Sequence, residues 1–270
     1  MRKYLVIGNP ITHSLSPELH NYWIKENGID GVYNKKQLNE NDLKEFFLKI
    51  KNKEINGANI TVPFKRDVIS YLDELSLEAE KTQSVNTVYL KDDKIIGHNT
   101  DIDGFELAMK NVDYDVEGKK VLILGAGGVV PSVIFALYKM KVLSVTICNR
   151  TKTKAENLKN LFNDLEIVDW GKASNFDMII NATSIGLKKE DKLNLDLSKL
   201  QNSEFFYDVI YNPKETNFLK DGKNLGKITE NGKKMFIYQA AKAFKIWHGI
   251  DPKINEQVIG LLDKWLKLEF

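Results

Sequence analysis

The sequence has little cysteine and no long apolar run. A single cysteine, Cys148, occurs in 270 residues, so the chain cannot form an intramolecular disulfide. No apolar segment approaches the ~20 residues that a transmembrane helix needs. The apolar stretch near the N-terminus is also too short for a signal peptide. We therefore expect a cytoplasmic protein with no membrane partner.

Neither sign of charge dominates, and arginine is scarce. The chain carries 39 basic and 37 acidic residues, for a net charge of +2. This balance favours a small-molecule partner over nucleic acid. Only Arg2, Arg66 and Arg150 are arginines, so an arginine at a motif position is informative. The four histidines lack the spacing of metal ligands, which predicts no metal site.

A glycine-rich turn between an apolar strand and an apolar helix is the strongest local pattern. The turn consists of Gly125, Ala126, Gly127, Gly128 and Val129. Glycines let a phosphate approach the backbone, and the start of the following helix offers N–H groups and a partial positive charge. Taken alone, these residues fit phosphate binding and ordinary strand–helix packing equally well.

The end of the next predicted strand favours NADP as the cofactor. Folds that bind NAD usually have Asp or Glu at this position, where it holds the ribose 2′-hydroxyl. Here strand 144–148 is followed by Asn149, Arg150 and Thr151, and Lys154 comes soon after. A guanidinium suits a 2′-phosphate, because it adds two hydrogen bonds to its charge. We therefore interpret Arg150 as a ligand of the 2′-phosphate of NADP(H) rather than as a solvated surface residue.

Alternating strands and helices predict an α/β fold with two domains. Six short strands are expected at 120–124, 144–148, 166–168, 177–181, 205–209 and 226–229. Their alternation with helices indicates a parallel sheet covered on both faces, so we assign residues 102–237 to a Rossmann-type NADP-binding domain. The last helices have no strand to pair with. We assign residues 1–101 plus 238–270 to a discontinuous α/β substrate domain.

Polar residues gather at predicted strand ends in the first hundred residues. Pro63 is expected to open a helix, with Lys65 in its first turn. The positive end of a helix dipole favours a neutral amine, which suits a general base. Asp101 closes a second polar strand end, and its carboxylate would oppose that effect. Ser16, which precedes Pro17, fits a helix N-cap.

With these residues in view, the chain resembles the shikimate dehydrogenase family along nearly its whole length. The motifs that carry the resemblance are residues 8–17, 57–65, 85–87, 99–101, 125–128, 149–151, 181–186, 208–213 and 239–241. Each motif is short, but their joint occurrence in this order is specific.

The resemblance implies an enzyme of chorismate and aromatic amino-acid biosynthesis that reversibly reduces 3-dehydroshikimate to shikimate with NADPH. It implies that Lys65 is the acid/base and that Asp101 orients it. The residues implied to bind the substrate are Ser14, Ser16, Thr61, Asn86, Tyr211 and Gln239. Those implied to bind the cofactor are Gly125, Ala126, Gly127, Gly128, Val129, Asn149, Arg150, Thr151, Lys154 and Gly232. We expect a monomer or a homodimer.

Two alternatives remain open in the sequence. One is a quinate/shikimate dehydrogenase that uses NAD. The other is a non-catalytic sensor of the pathway, which should lack Lys65 or Asp101, whereas this chain has both. The cofactor half also departs from the usual pattern at three positions. Val130 replaces a small residue, Lys234 a glycine and Asn217 a proline.

Overall fold

Two separate six-stranded β-sheets form the framework of the chain. The structure is a computed structural model that describes residues 1–172 and 175–268. One unit comprises Met1–Gly104 with Ile237–Phe270, and the other comprises Phe105–Phe236. The last two residues of the predicted 238–270 segment lie outside the described residues.

The first sheet is mixed. Its strands are β1 (Arg2–Gly8), β2 (Gly31–Gln37), β3 (Gly57–Ile60), β4 (Glu74–Leu75), β5 (Thr87–Lys91) and β6 (Lys94–His98), in the order β2-β1-β3-β5-β6-β4. Strands β2, β1 and β3 are parallel, whereas β5 runs antiparallel to both β3 and β6. Asp92 and Asp93 link β5 to β6 in a hairpin, with φ angles of 50° and 58°. Two left-handed residues of this kind suit a tight hairpin turn.

The second sheet is wholly parallel. Its strands are β7 (Lys120–Leu124), β8 (Ser144–Cys148), β9 (Glu166–Ile167), β10 (Met178–Asn181), β11 (Phe205–Asp208) and β12 (Ile228–Glu230), in the order β12-β11-β10-β7-β8-β9. The strand order reverses between β7 and β10. This is the order of a dinucleotide-binding fold, whose ligand lies beyond the strand ends at the reversal. The predicted Rossmann-type sheet is therefore confirmed.

The α-helices in the described part of the chain follow the apolar patterning. They are α1 (Ser16–Glu26), α2 (Leu43–Lys51), α3 (Leu77–Thr82), α4 (Asp101–Lys110), α5 (Val130–Lys139), α6 (Lys152–Leu161), α7 (Asn217–Asn224), α8 (Lys233–His248) and α9 (Glu256–Leu268). In α2, Leu43, Phe46, Phe47 and Ile50 are buried, as expected for one apolar face. None of the helices described could cross a membrane.

The helix predicted to begin at Pro63 is absent. A turn follows β3 instead, and a short 3-10 helix occupies Asp67–Tyr71. The carbonyl of Lys65 accepts a hydrogen bond from the Val85 N–H at 2.8 Å, while the Ile69 N–H bonds to Arg66. A contact with a distant segment thus replaces the helical bond. The argument from a helix dipole acting on Lys65 is therefore wrong.

Ser16 is not the N-cap of α1. Leu15 holds that position, without a capping hydrogen bond from its side chain, and Ser16 is the first helical residue. The Ser16 side chain instead interacts with the phenol of Tyr33, which opposes the rise that burial causes in the pKa of Tyr33. The helix therefore begins one residue earlier than predicted.

An aromatic cluster fills part of the core of the first unit. It comprises Tyr4, His20, Trp23, Tyr33, Phe244, Trp247 and His248. The His20 ring stacks on Tyr33, with 4.2 Å between centroids and 2° between planes. Neither ring nitrogen of His20 has a hydrogen-bond partner in the described structure. Burial, with some repulsion from His248, lowers the pKa of His20 to about 3.

This buried imidazole makes the fold sensitive to acid. Below pH 6.5 the unfolded chain protonates His20, whereas the folded chain does not, so stability is full above pH 6.5 and falls toward pH 3. Between pH 7 and pH 5 the loss should be about 2 kcal/mol. In urea unfolding followed by tryptophan fluorescence, His20→Phe should remove this contribution of His20. The acid loss that comes from His248, whose pKa burial lowers to about 4, should remain. His13→Phe, at an exposed position, is the control. An unchanged pH dependence in His20→Phe would contradict this assignment.

Candidate functional site

A buried ion pair lies at the centre of the polar region of the first unit. Lys65 follows β3, and Asp101 begins α4. The Lys65 Nζ and the Asp101 Oδ2 are 2.5 Å apart, and the two side chains are only 10% and 9% exposed. A charged pair held this close and away from water has few alternative geometries. It can present an ammonium proton at a fixed place.

Asn86 orients the carboxylate of this pair. Its Nδ2 donates to the Asp101 Oδ1 at 3.0 Å and to the Gln239 Oε1 at 3.3 Å. Its Oδ1 accepts from the Thr100 N–H at 2.7 Å, which fixes the direction of the amide. The structure therefore brings together four predicted site residues: Lys65, Asn86, Asp101 and Gln239.

Ser14 and Thr61 lie on loops at one edge of the first sheet, and Ser16 begins the helix that follows the first of these loops. Strands β1 and β3 are parallel, so the loops that follow them leave the sheet at the same edge. The Asn9 N–H donates to the Val62 carbonyl at 2.9 Å, which joins the starts of the two loops. Ser14 accepts from the Ser16 N–H at 3.3 Å. Thr61 is partly buried in the turn that leads to Lys65.

The glycine turn of the second unit joins β7 to α5. Gly125 has a φ of 108°, and a Cβ there would lie 2.8 Å from the Ala182 carbonyl oxygen. Gly127 and Gly128 are exposed. In the described structure, the N–H groups of Ala126, Gly127 and Val129 have no hydrogen-bond acceptor. A turn with unpaired donors at a helix start fits a phosphate.

The loop between β8 and α6 presents a free guanidinium. Arg150 is exposed and has no ion-pair partner among the described residues. The Asn149 Nδ2 donates to the Thr151 carbonyl at 2.7 Å, which shapes the loop before α6. Lys154 is exposed in the first turn of that helix. These residues fit the 2′-phosphate of NADP better than an uncharged ribose.

The departures from the usual pattern have structural explanations. Val130 is fully buried as the first residue of α5. The Lys234 Nζ pairs with the Glu230 Oε2 at 2.9 Å and donates to the Asn111 carbonyl at 3.2 Å. The Asn217 Nδ2 donates to two carbonyls of the loop that follows β10, those of Lys189 and Asp191.

Gly232 allows a close approach of two backbone segments. A Cβ at this position would lie 2.0 Å from the Val209 carbonyl oxygen, far inside contact distance. The Gly232 N–H also donates to the Ile210 carbonyl at 3.1 Å. Tyr211, in the same loop after β11, stacks on Phe236 with 4.7 Å between ring centroids. Only glycine fits at position 232.

A cluster of buried polar residues lies at the ends of β10 and β11, and the sequence analysis gave these residues no role. Asp208 is fully buried and accepts from Asn181 at 3.1 Å, from Thr216 at 2.6 Å and from the Ile210 N–H at 3.0 Å. Burial raises its pKa to about 6, although these donors lower it. The contacts tie together the loops that follow two central strands. The signal was present, because Asn181 and Asp208 each end an apolar strand.

The described residues contain no cluster of three or more His, Cys, Asp or Glu side chains arranged to hold a metal ion. Cys148 is a free, buried thiol, and burial raises its pKa to about 11. That thiol is a poor nucleophile at neutral pH. Among the described residues, the Lys65–Asp101 pair and its hydrogen-bond partners form the candidate reactive site.

Comparisons with known proteins agree with this arrangement. Three family descriptions match: "Shikimate dehydrogenase substrate binding domain" at residues 6–88, "Shikimate / quinate 5-dehydrogenase" at 106–214, and "Shikimate 5'-dehydrogenase C-terminal domain" at 234–256. The chain is 56% identical to a shikimate dehydrogenase (NADP(+)) of Pelagibacter ubique over 262 residues, which are 97% of this chain and 99% of that protein.

Solved structures give the same result. The crystal structure of shikimate dehydrogenase from Aquifex aeolicus is 37% identical, with a TM-score of 0.86 and 96% of each chain covered. A Thermus thermophilus shikimate 5-dehydrogenase, solved in complex with NADP(H) and shikimate, is 32% identical. Its TM-score is also 0.86, and the match covers 94% of this chain and 95% of that one.

Proposed function

The chain belongs to the shikimate dehydrogenase family, and from this premise we propose that it reversibly reduces 3-dehydroshikimate to shikimate with NADPH. The observation that carries the proposal is the buried Lys65–Asp101 pair, together with Asn86 and Gln239. A non-catalytic sensor would have no use for a fixed ammonium of this kind.

Lys65 is the proton donor of this reaction. Bound NADPH supplies a hydride to the carbonyl carbon of the substrate. The carbonyl oxygen then gains negative charge, and the Lys65 ammonium gives it a proton from Nζ. In the reverse direction the neutral amine takes the hydroxyl proton. Asp101 holds the Lys65 Nζ at 2.5 Å. The lysine side chain is therefore already ordered, and little conformational entropy is lost when the proton transfers.

The remaining polar groups hold the substrate. We assign its carboxylate to the hydroxyls of Ser14 and Ser16, whereas the role of Tyr211, a residue of the second unit, stays a prediction. The ring hydroxyls are assigned to Thr61, Asn86 and Gln239. The amide of Asn86 supports this role because its direction is fixed by the Thr100 N–H. We assign the substrate to the unit of Met1–Gly104 with Ile237–Phe270.

The second unit, Phe105–Phe236, binds NADP in this proposal. The cofactor phosphates lie at the turn of Gly125, Ala126, Gly127, Gly128 and Val129. The exposure of Gly127 and Gly128 and the unpaired N–H groups of Ala126, Gly127 and Val129 support this placement. The 2′-phosphate lies at the loop of Asn149, Arg150, Thr151 and Lys154. Gly232 permits the close packing of the loop beside the nicotinamide. We place the enzyme in the cytoplasm, as a monomer or a homodimer.

The test is an absorbance assay at the nicotinamide band that crosses shikimate and quinate with NADP and NAD. The wild type should work fastest with shikimate and NADP. Arg150→Ala should raise the KM for NADP about tenfold or more and leave the KM for NAD unchanged. The reason is that the guanidinium contacts only the phosphate that NAD lacks.

Lys159→Ala is the matched control for that variant, because it removes an exposed positive charge farther along α6. It should leave both constants near their wild-type values. Equal losses for NADP and NAD in Arg150→Ala would rule out the assignment to the 2′-phosphate. Faster turnover of quinate than of shikimate would overturn the proposed substrate.

A further inference from the structure

A continuous chain of buried hydrogen bonds runs from β2 to the Lys65–Asp101 pair. We propose that Tyr33 and Asn59 are positioning residues of this pair, although neither was expected at the site. The inference rests on the proposed function, in which Lys65 transfers the proton.

Tyr33 is fully buried, so it cannot contact the substrate directly. Its ring is held on β2 by the stack with His20. Its hydroxyl lies 2.7 Å from the Asn59 Oδ1. Any effect of this hydroxyl on the reaction must therefore pass through Asn59 or through Ser16, its other partner.

The Asn59 amide has only one workable orientation. Its Nδ2 donates to the Asn86 carbonyl oxygen at 3.1 Å and to the Thr87 Oγ1 at 3.0 Å. A carbonyl oxygen can only accept, so the NH2 group must face Asn86 and the Oδ1 must face Tyr33. The Tyr33 hydroxyl is consequently the donor, and its single proton is committed to Asn59.

The direction of donation continues through Thr87. Because the Thr87 Oγ1 accepts from Asn59, its own proton is free to go to the Asn86 Oδ1 at 3.1 Å. This oxygen also accepts from the Thr100 N–H. The Asn86 Nδ2 therefore faces the Asp101 Oδ1, and the other carboxylate oxygen is left for Lys65.

The series of hydrogen-bond donors ends at the Asp101 carboxylate, which holds Lys65. Asn59 and Thr87 are, like Tyr33, almost inaccessible to solvent, and no water is needed to complete the series. A partly satisfied buried network is unstable, so each member restricts its neighbour. Loss of the first donor leaves the Asn59 Oδ1 without a partner, which loosens the amides that aim Asp101.

The primary test is Tyr33→Phe, which removes only the hydroxyl. Its kcat with shikimate and NADP should fall about tenfold, the loss expected for one misplaced hydrogen-bonded group. Binding of NADP should be unchanged. Tyr4→Phe is the matched control, because Tyr4 is the register partner of Tyr33 on β1 and is equally buried. An unchanged kcat in Tyr33→Phe, or an equal fall in Tyr4→Phe, would overturn the proposal.

Two further comparisons separate positioning from general stability. Thr87→Val should lower kcat as Tyr33→Phe does. Thr87→Ser retains the hydroxyl, so its kcat should stay close to that of the wild type. Tyr33→Phe should also have no further effect in an Asp101→Asn background, because residues that act through one group are not additive. A further tenfold loss in that background would overturn the route through Asp101. Melting temperatures would show whether each variant is folded.

The Lys65→Ala variant distinguishes failure of this inference from failure of the proposed function. If Lys65→Ala loses turnover while Tyr33→Phe keeps it, only the positioning role is wrong. If Lys65→Ala keeps turnover, the catalytic pair and the positioning role are both wrong.

Discussion

Lys65→Ala should lower the turnover of shikimate with NADP by about 10²-fold or more, because the reaction then lacks its proton donor and acceptor. The affinity for NADP should change little, since the lysine belongs to the first unit and the proposed phosphate contacts to the second. Steady-state absorbance assays would give turnover, and a fluorescence titration with NADPH would give affinity.

Lys65→Arg separates proton transfer from charge. An arginine can still pair with Asp101, but its guanidinium stays protonated at any pH the assay can use. Turnover should therefore be as low as in Lys65→Ala. Lys91→Ala, at an exposed lysine of the same unit, is the control and should match the wild type. Near-normal turnover in either Lys65 variant would mean that another group moves the proton.

The sequence was most informative where one local segment contains the whole signal. The apolar run of β7, the glycines after it and the apolar helix α5 follow one another without interruption, so their order predicts the turn. Its ligand was favoured only once Arg150, after the next strand, was considered. The ends of β3 and β6 were recognisable in the same way from polar residues after apolar ones. Lys65 and Asp101 were found by this rule, and the structure joins them in an ion pair.

Local pattern failed where a distant segment decided the conformation. The stretch after Pro63 reads as a helix, yet the Lys65 carbonyl bonds to the N–H of Val85, twenty positions along the chain. The Tyr33–Asn59 bond joins residues 26 positions apart, and nothing in the alternation of either strand indicates it. Such pairings depend on strand order, which periodicity cannot supply.

The unusual lysine at position 234 falls between these cases. Its partner Glu230 lies four positions earlier, a spacing at which opposite charges often pair. The sequence therefore contained the partner, and the ion pair was predictable. The steric requirement at Gly232, two positions before that lysine, could not be predicted from the sequence. It arises from the backbone of Val209, in the loop that follows β11.

Gly232→Ala should be among the most damaging single substitutions in the second unit. The added methyl carbon would lie 2.0 Å from the Val209 oxygen and 2.6 Å from the Val209 carbonyl carbon, and both are backbone atoms. The two segments must separate, which breaks the Gly232–Ile210 hydrogen bond and shifts the loop beside buried Asp208. Overpacking of this severity costs roughly 3 kcal/mol or more. The melting temperature should fall by about 5–10 °C.

The same variant should bind NADP at least tenfold more weakly, because the displaced loop follows a central strand of the cofactor sheet. Gly127→Ala is the matched control. Its Cβ would have no neighbour closer than the Ala182 oxygen at 3.8 Å, so the melting temperature should stay within about 1 °C of wild type. NADP affinity should still fall, since the methyl group would occupy the exposed turn proposed to hold the phosphates. Thermal unfolding and NADPH titration of both variants would separate a glycine required by the fold from one required by the cofactor. A Gly232→Ala protein that melts like the wild type would show that the two segments can separate at no cost.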